Sequence, residues 1–255
     1  MRQIEVRKAL SEGRTVLNGW SVIPGSFLAE VMVSLGWDAL TIDMQHGMVS
    51  ETDMLSMLQA VSTTRVTPMV RLGANSPELV GKALDAGAMG VICPLINSPE
   101  DASRFVSACR YPPLGVRSSG ATRAMIYAGF DYGANADEQV LKFAMIETRD
   151  ALNNLEEIAA TPGLDGLYVG PSDLSLAYGG KQGFDIDEPR MMEAYKAIAA
   201  ACQKHGLTAG IHTASPEFAG RMQAIGYRFI TLVGDFNFIL AGRGQVGAAR
   251  KLLGD

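Results

Sequence analysis

The chain has 255 residues, 47% of them hydrophobic and 19% charged, with a formal net charge of −5. Such a composition excludes a disordered or fibrous chain, and scattered Lys and Arg under a net negative charge argue against a nucleic-acid surface. Cys93, Cys109 and Cys202 form no C-x-x-C pair, so neither a disulfide framework nor a zinc knuckle is expected, and a reducing cytoplasmic setting fits.

The first ten residues mix charged and apolar side chains at helical spacing and lack the apolar core and cleavage site of a signal peptide. No apolar run reaches the roughly 18 residues of a spanning helix, so the expected partner is a small molecule rather than a membrane. Short apolar runs with turn residues and amphipathic helical stretches behind them recur along the chain. They predict strands at 16–20, 39–43, 68–71, 90–93, 143–146, 166–169, 208–211 and 229–233. Eight such units in a chain near the usual barrel length of about 250 residues imply an α/β fold, a single (β/α)8 TIM barrel over 1–255. Ser98-Pro99 and Ser215-Pro216 open helices as caps, and Gly87 and Gly206 close them. Two longer insertions, 111–138 and 178–189, break the rhythm and are expected to be functional or interfacial.

In a barrel of this kind the chemistry sits at the carboxyl ends of the strands. Those ends read Trp20, Asp43-Met44-Gln45-His46, Arg71, Cys93, Glu147, Gly170-Pro171-Ser172-Asp173, His212 and Gly234-Asp235. Glu147 and Asp173 follow neighbouring strands, where they either share a hard cation such as Mg²⁺, Mn²⁺ or Co²⁺ or act as acidic residues at helix starts. Three residues separate His46 from Asp43, a spacing at which the carboxylate can orient an imidazole base, although a solvated loop histidine accounts for it equally. Arg71 suits bidentate capture of a carboxylate or keto oxygen, an ion pair with Asp43, or both. The turn before Ser172 and Asp173 directs backbone N–H groups at an anion or simply caps a helix.

No lysine lies at the carboxyl end of a predicted strand, and Lys142 falls at the opposite end of the fifth, so a Schiff-base aldolase lacks its nucleophile. No G-x-S-x-G elbow, Walker loop or G-x-G-x-x-G turn is present. Cys93 reads as a barrel-lining residue.

With these residues in view, the chain resembles the class II pyruvate-dependent aldolases of the HpcH/HpaI family, which includes 4-hydroxy-2-oxoheptanedioate and 2-dehydro-3-deoxyglucarate aldolases. The segments that carry the resemblance are Trp37-Asp38-Ala39-Leu40-Thr41-Ile42-Asp43 with Met44-Gln45-His46-Gly47, Arg110-Tyr111-Pro112-Pro113-Leu114-Gly115-Val116-Arg117, Ile146-Glu147-Thr148-Arg149, and Gly170-Pro171-Ser172-Asp173-Leu174-Ser175. The resemblance implies Glu147 and Asp173 as ligands of a divalent metal, Arg71 as the pyruvate-binding arginine, and His46 as the base with Asp43 beside it. It further implies substrate contacts from Ser172, Asp173, Trp20, His212 and Gln45. A hexamer is implied as well, in which the loop around Arg117 to Arg123 reaches a neighbour. The chain departs from the family pattern at Gln45, where glutamate is common, at Met145, where glutamine is common, and at His212, where an aliphatic residue often sits. The activity implied is reversible cleavage of 4-hydroxy-2-oxo acids to an aldehyde and pyruvate, or a close analogue such as hydroxypyruvate. The alternatives are an acyl-CoA lyase, an oxaloacetate-type decarboxylase, or a metabolite-binding barrel without catalysis.

Overall fold

The computed structural model describes residues 1–254. Eight parallel strands, β1 (Val16–Ser21), β2 (Ala39–Asp43), β3 (Thr67–Arg71), β4 (Gly90–Cys93), β5 (Leu141–Ile146), β6 (Gly166–Val169), β7 (Thr208–His212) and β8 (Phe229–Gly234), close in sequence order, with β8 pairing back onto β1. Every expected strand is present, and several run one or two residues longer than the apolar runs suggest, because polar residues such as Ser21, Thr67 and His212 still pair with neighbouring strands.

Residues inside the barrel alternate in size so that neighbouring strands interlock. A Cβ at Gly166 would lie 2.4 Å from the Phe143 ring, and Phe143 in turn meets Phe229 at a centroid distance of 4.9 Å. Above this apolar floor the interior turns polar. Tyr168 donates to Thr231 Oγ1 at 2.7 Å, Asn18 donates to the same oxygen at 2.9 Å, and Thr41 donates to Asn18 at 3.0 Å. All four side chains are buried, so this closed set satisfies groups that would otherwise be costly beneath the mouth.

The amino end is held by charge. Lys142 is buried and lies 3.1 Å from Asp165, which also takes Arg7 at 2.7 Å. This lysine is therefore committed at the end remote from the strand termini. The expected caps form: Ser98 accepts from the Asp101 N–H and Ser215 from the Phe218 N–H, while Gly206 ends its helix with a left-handed φ of 69°. The insertion 111–138 holds two helices, Thr122–Ala128 and Tyr132–Gln139, whose buried Ala124, Ala128, Tyr132 and Ala136 give them an inward face. Within it Arg117 pairs with Asp85 and Tyr132, and Arg123 donates to the Ala86 carbonyl, so both ends of the segment expected to reach a neighbour are anchored on their own barrel. Between them Ser118, Ser119 and Gly120 are all exposed.

The final helix, Asp235–Leu253, is different in kind. Asp235 is its only buried residue, and Phe236, Phe238, Ile239, Val246, Leu252 and Leu253 are all exposed. Among the described residues no helix is long and apolar enough to cross a membrane.

Candidate active site

Strand register brings the first pair of charges together: Asp43 and Arg71 are direct partners at the ends of β2 and β3. Both are buried. Arg71 Nε donates to Asp43 Oδ1 at 2.8 Å and Arg71 Nη2 donates to Oδ2. Trp20 Nε1 adds a third donor at 3.2 Å, and the backbone N–H groups of Gln45 and His46 reach Oδ1 at 2.9 and 3.2 Å. Burial alone would push the Asp43 carboxyl up, but the Arg71 hydrogen bonds and charge, with the two backbone donors, hold it below the ordinary carboxylate range. The guanidinium carbon also lies 4.9 Å from the centre of the Trp20 ring. Both expectations for Arg71 meet here, since its fork is filled on one side by Asp43 while the residue still lines the cavity. The expectation for Asp43 is altered: it holds His46 by the backbone N–H, and the His46 side chain stands on the exposed side of the turn.

The second pair comes from β5 and β6, which are hydrogen-bonded neighbours. Glu147 is buried just past β5, and its Oε1 accepts the Leu95 N–H at 2.8 Å. Asp173 lies in the first turn of the helix Pro171–Ala177 and makes no capping bond there. Burial, with a contribution from the charge on Asp173, pushes the Glu147 carboxyl above its ordinary value, against the Leu95 N–H and Arg71, which pull it down. Gly170 makes the room: a Cβ at this position would lie 2.8 Å from Glu147 Oε2 and 3.1 Å from Glu147 Cβ.

These residues line one cavity of about 580 Å³ at the carboxyl ends of the strands, together with His46, Ser172, Trp20 and His212. Gln45 is not on its wall. Its backbone is drawn to Asp43, and its Oε1 is buried with no hydrogen-bond partner. Several lining residues were not foreseen at the strand ends: Tyr168, inward-facing on β6; Gln182 and Phe184, from the glycine-containing segment 178–189; and Phe236 and Asn237, at the start of the final helix. The alternation of β6 and the length of that segment were the available signals. His212 sits with its ring stacked 4.3 Å from Phe184 and edge-on at 4.9 Å to Trp20. Burial, and then the positive charge of Arg71, drive its pKa down to about 3, so it is an uncharged ring. Cys93 is buried and its thiol is pushed up by burial first and by nearby negative charge second, the reverse of what a nucleophile needs.

The donor chemistry around Glu147 and Asp173 fits a hard divalent cation. Two like-charged carboxylates face one space, Glu147 being raised first by burial and further by the charge of Asp173, and Gly170 keeps that space open. Among the described residues no third Asp, Glu, His or Cys joins them as a ready-made cage. Such a pair suits a Mg²⁺-type ion, which takes one or two protein carboxylates and fills its remaining positions with water or substrate oxygens.

A family model described as HpcH/HpaI aldolase/citrate lyase matches residues 21–236. The chain belongs to this family. It is accordingly an aldolase-type carbon–carbon lyase. A hydroxypyruvate/pyruvate aldolase from Rhizorhabdus wittichii is 37% identical over 249 residues, covering 98% of this chain and 99% of that one. A 2-dehydro-3,6-dideoxy-6-sulfogluconate aldolase from Pseudomonas putida is 35% identical over 240 residues, 92% of each chain. The crystal structure of an HpcH/HpaI aldolase/citrate lyase family protein from Burkholderia cenocepacia superposes with a TM-score of 0.89 at 31% identity, covering 97% of this chain and 100% of that one.

Proposed function

We propose that the chain, working as one barrel domain over 1–255, is a divalent-metal-dependent aldolase. In this reading it cleaves 4-hydroxy-2-oxo acids reversibly to an aldehyde and pyruvate, or a close analogue such as hydroxypyruvate. The observation that carries the proposal is the convergence on one cavity of a pre-formed Asp43–Arg71 pair and two carboxylates whose charges oppose each other. Glu147 and Asp173 would hold Mg²⁺, Mn²⁺ or Co²⁺, which when bound supplies Lewis-acid polarisation of a 2-oxo acid.

The chain's own residues do the rest. Arg71, with Nε and Nη2 tied to Asp43, directs its remaining N–H groups to the keto oxygen, where negative charge develops. The backbone N–H groups at Ser172 and Asp173 receive the substrate carboxylate, and Trp20 and His212 line the same cavity near the substrate. In cleavage, His46 takes the proton of the C4 hydroxyl, through a water; the C4 oxygen forms the aldehyde carbonyl as the C3–C4 bond breaks and its electron pair passes to C3. Protonation of C3 then yields the methyl group of pyruvate. Gln45, off the cavity wall, is best assigned to supporting the Asp43 turn rather than to touching substrate.

The exposed apolar residues of the final helix support a homo-oligomer, for which a hexamer is the proposed state, in a cytoplasmic setting where the three buried cysteines stay reduced. The test is pyruvate release from a panel of 4-hydroxy-2-oxo acids by protein stripped with chelator and resupplied with each metal. Release is expected to disappear on stripping and return with metal. Activity that survives stripping, or none with any metal, overturns the proposal.

A further inference from the structure

One side of the cavity wall, beginning at the Trp20 ring beside Asp43 and Arg71, is rich in flat rings. Tyr168 and Trp20 lie 6.0 Å apart with 22° between their planes, Trp20 meets the His212 ring edge-on at 4.9 Å, and Phe184 lies over His212 at 4.3 Å and 18°. The outer member, Phe184, comes from the segment 178–189, and its place is not left to chance. Asp185 Oδ1 accepts the Ala214 N–H at 2.7 Å and its Oδ2 accepts the Ser215 hydroxyl at 2.6 Å, while the Gly183 N–H donates to Ser172 Oγ at 3.4 Å. The segment is thus pinned to the loops after both β6 and β7. Phe184 remains half-buried, so part of its ring faces the cavity it lines.

Such a wall discriminates by shape. A planar group laid against an aromatic ring gains contact over its whole face and the favourable geometry of an aromatic pair, whereas a puckered ring of similar volume touches at a few points. The His212 ring, kept neutral by burial, takes part without the desolvation cost an imidazolium would carry.

Resting on the aldolase reading, we infer that the ring cluster of Trp20, His212 and Phe184 is the specificity wall for the aldehyde half of the substrate and selects planar, aromatic acceptors over saturated ones of equal size. Asp185 is a positioning residue for this wall.

The test compares benzaldehyde with cyclohexanecarbaldehyde as partners for pyruvate in the metal-loaded wild type and in the Phe184→Leu and His212→Leu variants. The change in the kcat/KM ratio between proteins cancels the intrinsic reactivity of the two aldehydes. Each variant is expected to lower the benzaldehyde-to-cyclohexanecarbaldehyde ratio about tenfold, the equivalent of one lost ring contact. A ratio unchanged in both variants overturns the inference. Two further measurements on the wild type separate it from the reading beneath it. Exchange of pyruvate methyl protons with deuterated water needs no aldehyde, and its absence would sink the aldolase reading alone. Saturation-transfer NMR of the matched alcohols, benzyl alcohol and cyclohexylmethanol, needs no turnover. Tighter benzyl alcohol binding that is lost in Phe184→Leu sustains the wall, and equal binding of the two alcohols overturns it.

Discussion

Two corners of the same mouth treat charge in opposite ways. At the β2–β3 corner, one carboxylate meets a guanidinium, an indole N–H and two backbone N–H groups, so its charge is satisfied before any ligand arrives. At the β5–β6 corner, Glu147 has one backbone donor and a second carboxylate for company, and its carboxyl is pushed up rather than down. The first corner is a finished instrument that can aim Arg71 without reorganising. The second leaves two carboxylates facing one space with few protein donors, an arrangement that the proposed cation would complete.

The comparison breaks most sharply at Arg71. Arg71→Ala is expected to lower kcat/KM for pyruvate-forming cleavage on the order of 10²–10³-fold. It also leaves Asp43 buried without its main partner, so urea unfolding should show a loss of about 3 kcal/mol. A variant that is stable and still fully active would remove the pair from the site.

His212 lies within reach of the Arg71 charge and offers the next largest effect. Its folded pKa of about 3 is below the ordinary 6.5, so below pH 6.5 the unfolded chain takes up a proton that the folded chain refuses. Stability therefore falls with acid over that window by about 1.4 kcal/mol per pH unit on account of this residue. His212→Leu should lose less stability than wild type between pH 6.5 and 4.5, measured by urea titration at each pH. Parallel curves would show that the imidazole is protonated in the fold.

The second corner is sharpened by Gly170→Ala, whose Cβ would intrude on Glu147 and turn its carboxylate aside. Mn²⁺ affinity by calorimetry should weaken about tenfold while thermal stability changes little. Unaltered affinity would mean that Glu147 is not a ligand. The smallest effect belongs to Trp20→Phe, which keeps a ring against His212 and removes one of the donors to Asp43. About 1 kcal/mol of stability should be lost in a denaturant melt, and a larger loss would mean that the indole does more than donate this bond.

Which residues gather at the cavity mouth was largely legible because a parallel barrel converts sequence position into spatial position. Each strand end is a place on one rim, so Asp43, Arg71, Glu147 and His212 could be read off the apolar runs that precede them. The caps at Ser98 and Ser215 were legible for a similar reason, since their bonds span only three residues. Gln45 stood on the same list, but the turn that feeds its N–H to Asp43 leaves its side chain off the wall, and turn geometry is not encoded by spacing. Phe184 was invisible for a longer-range reason: its position depends on Asp185 finding Ala214 and Ser215 across two loops.

By itself, then, the order of apolar runs and polar strand ends determined the barrel and the charged residues at its mouth, because local periodicity and hydrogen bonding between neighbouring strands act over short stretches of chain. Only the tertiary structure decided which charges pair and which oppose, that His212 is a neutral ring, and that Phe184 closes the aromatic wall. Those outcomes depend on distances and burial between segments far apart in the chain, which no spacing within one segment can carry.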